Sequence, residues 1–230
     1  MYGDTMEILP NLHMIDGINA NSYLLLGDQI TLIDTGMPGN HEKIFNYLQN
    51  MLKSKPEDIK IIVITHHHVD HTGSLYELKK ATNANVAAYK DEAGYISGKK
   101  PASGPVYMRI GNRIMTFLTS YRNVEPDMIL KEDDVVEGYR VIHTPGHTPG
   151  SISLYNPDNR VIIVGDTLRF NGEKVMGPPS MLVEDSEALK RSVEKISKLD
   201  CEVMLSGHGK PITENAFELI KEYYKTLWSK

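Results

Sequence analysis

The chain of 230 residues is long enough to bury a large core, as one sizeable domain or two small ones, and its 40% hydrophobic and 24% charged residues describe an ordered globular protein. A formal charge of −5 argues against a general nucleic-acid binder, which needs a basic surface to neutralise phosphates. The single cysteine, Cys201, excludes an intrachain disulfide framework; with no basic-then-apolar leader from Met1 to Glu7 and no apolar run of membrane length, the expected setting is the cytoplasm, with neither membrane nor nucleic acid as partner.

In chain order, Leu12 to Ile15 reads as a strand, and Ser22 to Leu26 with Ile30 to Ile33 reads as a hairpin turned at Gly27-Asp28 that runs into Asp34-Thr35-Gly36. Ile44, Tyr47, Leu48, Met51 and Leu52 recur at helical spacing, which predicts a helix from Asn40 or His41 to Leu52. The apolar run Ile59 to Ile64 predicts a buried strand, followed by a helix from Ser74 to Ala81 and a short strand from Val86 to Tyr89. Gly94 to Pro105 reads as loop, and Pro105 then fits the first turn of a helix carrying the stripe Val106, Ile110, Ile114, Phe117, Leu118 and Tyr121. Strand patterns return at Met128 to Leu130, Tyr139 to His143, Ser151 to Tyr155 and Val161 to Val164, the last two turned at Pro157-Asp158-Asn159. A helix capped by Asp185 or Ser186 to about Leu199, a strand at Val203 to Leu205 and an amphipathic helix from about Thr213 to Trp228 complete the chain. The hairpin ending at Asp34-Thr35 has an echo in the hairpin ending at Asp166-Thr167, which suggests two similar halves.

The stretch Thr65-His66-His67-His68-Val69-Asp70-His71-Thr72-Gly73 follows the apolar run directly, so four histidines and an aspartate lie within six residues where a buried strand runs out. Alternate residues such as His66 and His68 can face one ion, and Asp70 and His71, beyond the turn, a second. Two ions about 3.5–4 Å apart can hold a hydroxide, the nucleophile a hydrolase needs at neutral pH. Further potential ligands stand at strand ends or loops: Asp34, His143, His147, Asp166 and His208. Donors of this kind without cysteine suit zinc, with iron and manganese as alternatives. His143 ends a strand pattern and reads as packed or exposed, and His13 and His41 as surface residues. His67 points away from His66 and His68, so it reads as packed or as a partner of the ligands. Asp34 reads as a turn or cap residue or, the favoured view, as a carboxylate orienting a ligand imidazole.

The set His66-x-His68-x-Asp70-His71, then His147, Asp166 and His208, resembles the metallo-β-lactamase superfamily of metal-dependent hydrolases over nearly the whole chain. The resemblance implies an α/β fold, a four-layer αββα sandwich of two mixed sheets in a single domain, 1–230. It also implies two divalent metal ions, zinc above all: His66, His68 and His147 on the first, Asp70, His71 and His208 on the second, and Asp166 bridging. Asp70 would also orient a metal-bound hydroxide. True β-lactamases of the superfamily lack the bridging aspartate, and the diiron flavoproteins carry a glutamate at the place of His68. Glyoxalase II matches all seven ligands but has a C-terminal helical domain that the 22 residues after His208 cannot supply. N-acyl homoserine lactonases have a tyrosine where this chain has Arg169.

The expected activity is hydrolysis of an ester, thioester or lactone bond in a small-molecule substrate. The alternatives are a mononuclear iron oxygenase similar to persulfide dioxygenases and a non-catalytic metal-binding module. The segment from about 94 to 124 carries Lys99, Lys100, Arg109, Arg113 and Arg122 and no acid, so as a helical lid it would favour an anionic substrate, and Arg169 could add a bidentate contact. A solvated helix face or a dimer contact is the competing view of that segment, and apolar faces on the two predicted helices could support a homodimer.

Overall fold

The computed structural model describes residues 6–16, 19–101, 103–104, 109–110, 119 and 121–227. The chain divides into two compact units, 1–130 and 131–230. The expected class is what is found: mixed α/β, each unit built on a mixed sheet.

Among the described residues, the sheet of the first unit has seven strands in chain order: β1 (Met6–Leu9), β2 (Leu12–Ile15), β3 (Ser22–Leu26), β4 (Ile30–Ile33), β5 (Ile59–Ile64), β6 (Asn85–Tyr89) and β7 (Met128–Leu130). The first four are antiparallel, as short turns permit, and from β4 onward the pairs are parallel. Parallel neighbours need a long crossover, usually helical. Helix α1 (Asn40–Asn50) supplies it between β4 and β5; α2 (Val69–Thr72) and α3 (Leu75–Thr82) supply it between β5 and β6, and α4 (Lys90–Ile96) follows β6. The apolar stripes of these helices close over the sheet: Ile44 and Leu48 of α1 and Leu75 and Leu78 of α3 join Leu32 and Ile62 in one core.

The second unit, again among its described residues, has a five-stranded sheet ordered β14-β11-β10-β9-β8, made of β8 (Val135–Val136), β9 (Tyr139–His143), β10 (Ile152–Asn156), β11 (Val161–Ile163) and β14 (Val203–Leu205). The strands β12 (Arg169–Phe170) and β13 (Val175–Met176) form a separate hairpin. Helix α5 (Ser186–Ile196) carries the chain to β14, which lies parallel to β11, and α6 (Ala216–Leu227) follows. Val193 and Ile196 of α5 and Ile220 of α6 pack with Ile162 and Met204. The echo between the halves is therefore one of connectivity: an antiparallel hairpin (β3–β4, β10–β11), an Asp-Thr, a helix, then a strand parallel to the hairpin's second arm and followed by histidine.

Several expectations are corrected. Helix α4 occupies the start of the stretch read as loop from Gly94, because the Gly and Ser that suggest a loop sit in its last turn and just beyond it. His13 is not a surface residue: β2 is flanked by β1 and β3 and buried along its length, so His13 is 6% exposed and its Nδ1 lies 2.9 Å from Tyr47 Oη. Strands β1, β8, β12 and β13 were not expected. The predicted Pro105 to Tyr121 helix lies mostly, and Arg113 entirely, outside the described residues. No helix among the described residues is long and apolar enough to cross a membrane.

Candidate metal centre

In the first unit the donors are set by where β5 stops. His66, His68 and His71 are buried, and their rings gather: His66 and His68 have centroids 4.8 Å apart, His66 and His71 4.0 Å apart. His68 is the N-cap of α2, whose single turn contains Asp70 and carries His71 back against the His66 ring. The backbone amides of His71 and Thr72 and the Thr72 hydroxyl all donate to the His68 carbonyl, at 2.9, 3.0 and 3.0 Å. Gly73 admits this sharp return because a Cβ there would lie 2.4 Å from the Pro38 ring.

Asp34 fixes the orientation of this group. Its Oδ2 is 2.8 Å from His71 Nδ1, which leaves Nε2 as the nitrogen able to face an ion. It also accepts from the Thr65 amide at 2.8 Å and the Thr65 hydroxyl at 2.7 Å, so one carboxylate spans the end of β4 and the end of β5. The His71 carbonyl is held in turn by the Thr35 amide and hydroxyl, each at 2.8 Å.

In the second unit, Asp166 and two imidazoles converge. His147 Nε2 lies 3.5 Å and His208 Nε2 3.1 Å from the same Asp166 Oδ2. His147 stands in a loop that regular structure would not allow: Gly146 has φ 132°, and a Cβ on it would lie 2.4 Å from the Leu189 backbone at the start of α5. The amides of Glu184 and Asp185 donate to the Gly146 carbonyl at 2.9 and 3.0 Å. His208 follows β14, its carbonyl accepting from Ser206 Oγ at 2.7 Å, and Gly207 donates to the Gly165 carbonyl at 2.8 Å, which ties the His208 turn to the Asp166 turn.

Each unit thus presents imidazoles beside a carboxylate, the imidazoles all buried except the half-buried His208. Rings gathered this way bear a desolvation cost that a bound cation offsets, and nitrogen and oxygen donors without cysteine are the donor set of zinc, iron or manganese. The residues fit divalent metal.

The remaining candidates lie elsewhere. His143 Nε2 donates to the Pro149 carbonyl, 3.0 Å away, and His143 belongs to none of the groups of metal donors among the described residues. Arg169 Nε donates to the Gly177 carbonyl at 3.1 Å, so this side chain braces the β12–β13 hairpin. Arg109 is exposed. Of the basic residues in the 94–124 segment, Lys99 is paired with Glu125 at 2.7 Å and Lys100 lies 5.2 Å from the Tyr95 ring centroid, which reduces the free positive charge. The residues to which sequence reasoning gave no part in the site are Thr65, Glu92, Ser103 and Tyr121. Thr65 could have been found as the polar residue closing an apolar strand; Glu92, Ser103 and Tyr121 leave no local signal. Burial pushes the Tyr121 phenol above its ordinary value, against the opposing pull of its hydrogen bond with Thr72.

A mixed α/β fold carrying strand-end His and Asp donors defines a metal-binding class of protein. The sequence profile of the metallo-β-lactamase superfamily matches residues 15–208, and the chain belongs to that superfamily. It is 30% identical to the probable metallo-hydrolase YflN of Bacillus subtilis, over 94% of this chain and 90% of that one. It is 27% identical to the human acyl-coenzyme A thioesterase MBLAC2, over 90% of this chain and 79% of the relative. Among solved structures, BJP-1, a subclass B3 metallo-β-lactamase of Bradyrhizobium japonicum, superposes with a TM-score of 0.72 at 23% identity, covering 96% of this chain and 89% of its own. That likeness is one of fold.

Proposed function

We propose that the chain is a binuclear metal-dependent hydrolase that cleaves an ester, thioester or lactone bond of a small, anionic substrate. The observation that carries this reading is the single Asp166 carboxylate oxygen faced by the Nε2 atoms of both His147 and His208. A carboxylate so faced suits a bridge between two ions. In this reading His66, His68 and His147 would hold one ion, Asp70, His71 and His208 the other, and Asp166 would reach both; all seven lie within the matched range 15–208. Zinc is the metal the donors favour. Divalent ions there would supply Lewis acidity toward the carbonyl oxygen and a water acidified to near neutral pH.

The chain's own residues do the rest. Asp34 holds the His71 ring in one orientation, so the ligand does not rearrange during turnover. In this reading Asp70, in the first turn of α2, would accept a hydrogen bond from the attacking water. The thioester branch is supported by the likeness to a thioesterase, and the anionic preference by the sequence of the 94–124 segment, which carries five basic residues and no acid.

The test is a panel of esters, thioesters and lactones, run with the metal content measured on the same sample. About two equivalents of zinc per chain with turnover on one class supports the reading, and Asp166→Ala should lose one or both ions and about 100-fold or more in kcat/KM. Full activity in Asp166→Ala removes the bridging role. One iron with oxygen consumption means an oxygenase instead, and metal without turnover a binding module.

A further inference from the structure

Glu92 is wholly buried although it belongs to the first turn of a short helix, where acids ordinarily face solvent. A buried carboxylate needs partners to offset its lost hydration. Glu92 Oε2 accepts from the His67 amide at 2.7 Å and lies 2.5 Å from His67 Nδ1. A carboxylate only accepts, so Nδ1 donates to it, and the other ring nitrogen, Nε2, meets Ser103 Oγ at 2.8 Å. The face of the ring is fixed as well: Tyr95 stacks on His67 with centroids 4.4 Å apart and 18° between the planes.

His67, the residue between His66 and His68, is thus held on three sides, by Glu92, Tyr95 and Ser103. The Lys100 amide donates to the Gly94 carbonyl at 2.8 Å, which folds the chain beyond α4 back over the helix and delivers Ser103 to the ring. On the other side of the 105–120 stretch, Tyr121 Oη lies 3.4 Å from Thr72 Oγ1, the hydroxyl that also donates to the His68 carbonyl. The metal-binding loop therefore meets both flanks of that stretch through hydrogen bonds.

We propose that Glu92, His67 and Ser103 form a positioning relay that couples metal binding at His66 and His68 to the ordering of residues 97–101 and Ser103. The coupling rests on the metal reading above. It has a thermodynamic corollary: if the ordered stretch favours the metal-binding shape of the loop, bound metal must favour the ordered stretch by the same factor. The relay makes the stretch around Ser103 a sensor of metal occupancy.

Amide hydrogen exchange over 97–104 in the full chain, with and without zinc, tests the relay, together with zinc affinity by chelator competition. Zinc should slow exchange in that stretch of the wild type by about tenfold, the scale of one hydrogen bond. In Ser103→Ala this zinc-dependent slowing should disappear and zinc affinity should fall about tenfold, with Ser103→Thr restoring both. His67→Asn retains a donor toward Glu92 and removes the acceptor that meets Ser103, so it should reproduce Ser103→Ala, and the double variant should be no worse than either single one. Zinc-dependent protection that persists in Ser103→Ala, or effects of the two variants that add, overturns the relay. A wild type that takes up no zinc overturns instead the metal reading.

Discussion

Asp34 sits at φ 56°, a left-handed conformation that costs an ordinary L residue about 1–2 kcal/mol and that Asp and Asn tolerate best. The conformation is what turns its carboxylate toward both Thr65 and His71. Asp34→Asn keeps that backbone and one acceptor oxygen but replaces the other with a donor, so zinc affinity should fall about 10–100-fold while the folded state survives, as chelator competition and thermal unfolding would show. Unchanged affinity would mean that His71 needs no such partner. This residue was legible in the sequence because it ends a strand beside the histidine motif. The Glu92 contact was not: an acid in the first turn of a helix is ordinarily explained by the helix dipole, and 25 residues separate it from His67. Cys201 shows another residue-scale effect. Burial, then the nearby Asp200 carboxylate, pushes its thiol up from 9.0 to about 12. A raised acid loses stability as pH climbs past its unfolded value, so Cys201 contributes fully below pH 9 and progressively less from there to about 12. The native protein should resist iodoacetamide at pH 8 and react at one site once unfolded; ready labelling of the native form would contradict the burial.

The elements that periodicity found are those long enough to show a period. Strand β5, helices α1 and α5 and the closing α6 match their predicted cores, with ends shifted by a few residues. The elements it did not find are short: β12 and β13 have two residues each, and the single turn of α2 hides inside a ligand motif whose spacing reads equally well as loop. Caps are more legible than lengths. Asp185 accepts from the amides of Glu187 and Ala188 at 3.0 and 2.9 Å, closing the first turn of α5 as its position before an apolar stripe suggests. Asp185→Ala should cost about 1 kcal/mol, read as a fall of about 2–4 °C in thermal midpoint. Because the neighbouring amide holds the Gly146 carbonyl, the same variant should also loosen the His147 loop.

For the molecule as a whole, the superfamily was readable from seven positions, whereas the substrate was not, since the basic residues that suggested one are partly committed to Glu125 and Tyr95. Metal removal is the whole-molecule test. A ligand present at about 1,000 times its dissociation constant stabilises the native state by about 4 kcal/mol, so a chelator should lower the thermal midpoint by on the order of 10 °C and added zinc should restore it. An unchanged midpoint would mean that the donors bind weakly or not at all. The strand order of the second sheet carries one more consequence, which concerns synthesis. Strand β14 covers the side of β11, yet it is made some 40 residues after it (from Val161 to Val203). Until the ribosome has passed Leu205, the Val161-Ile162-Ile163 edge stands open, an apolar strand ready to pair with another nascent chain. Chains stopped short of β14 would therefore be hazardous to the cell as well as inactive, and the late strand that brings His208 is also the one that closes the edge.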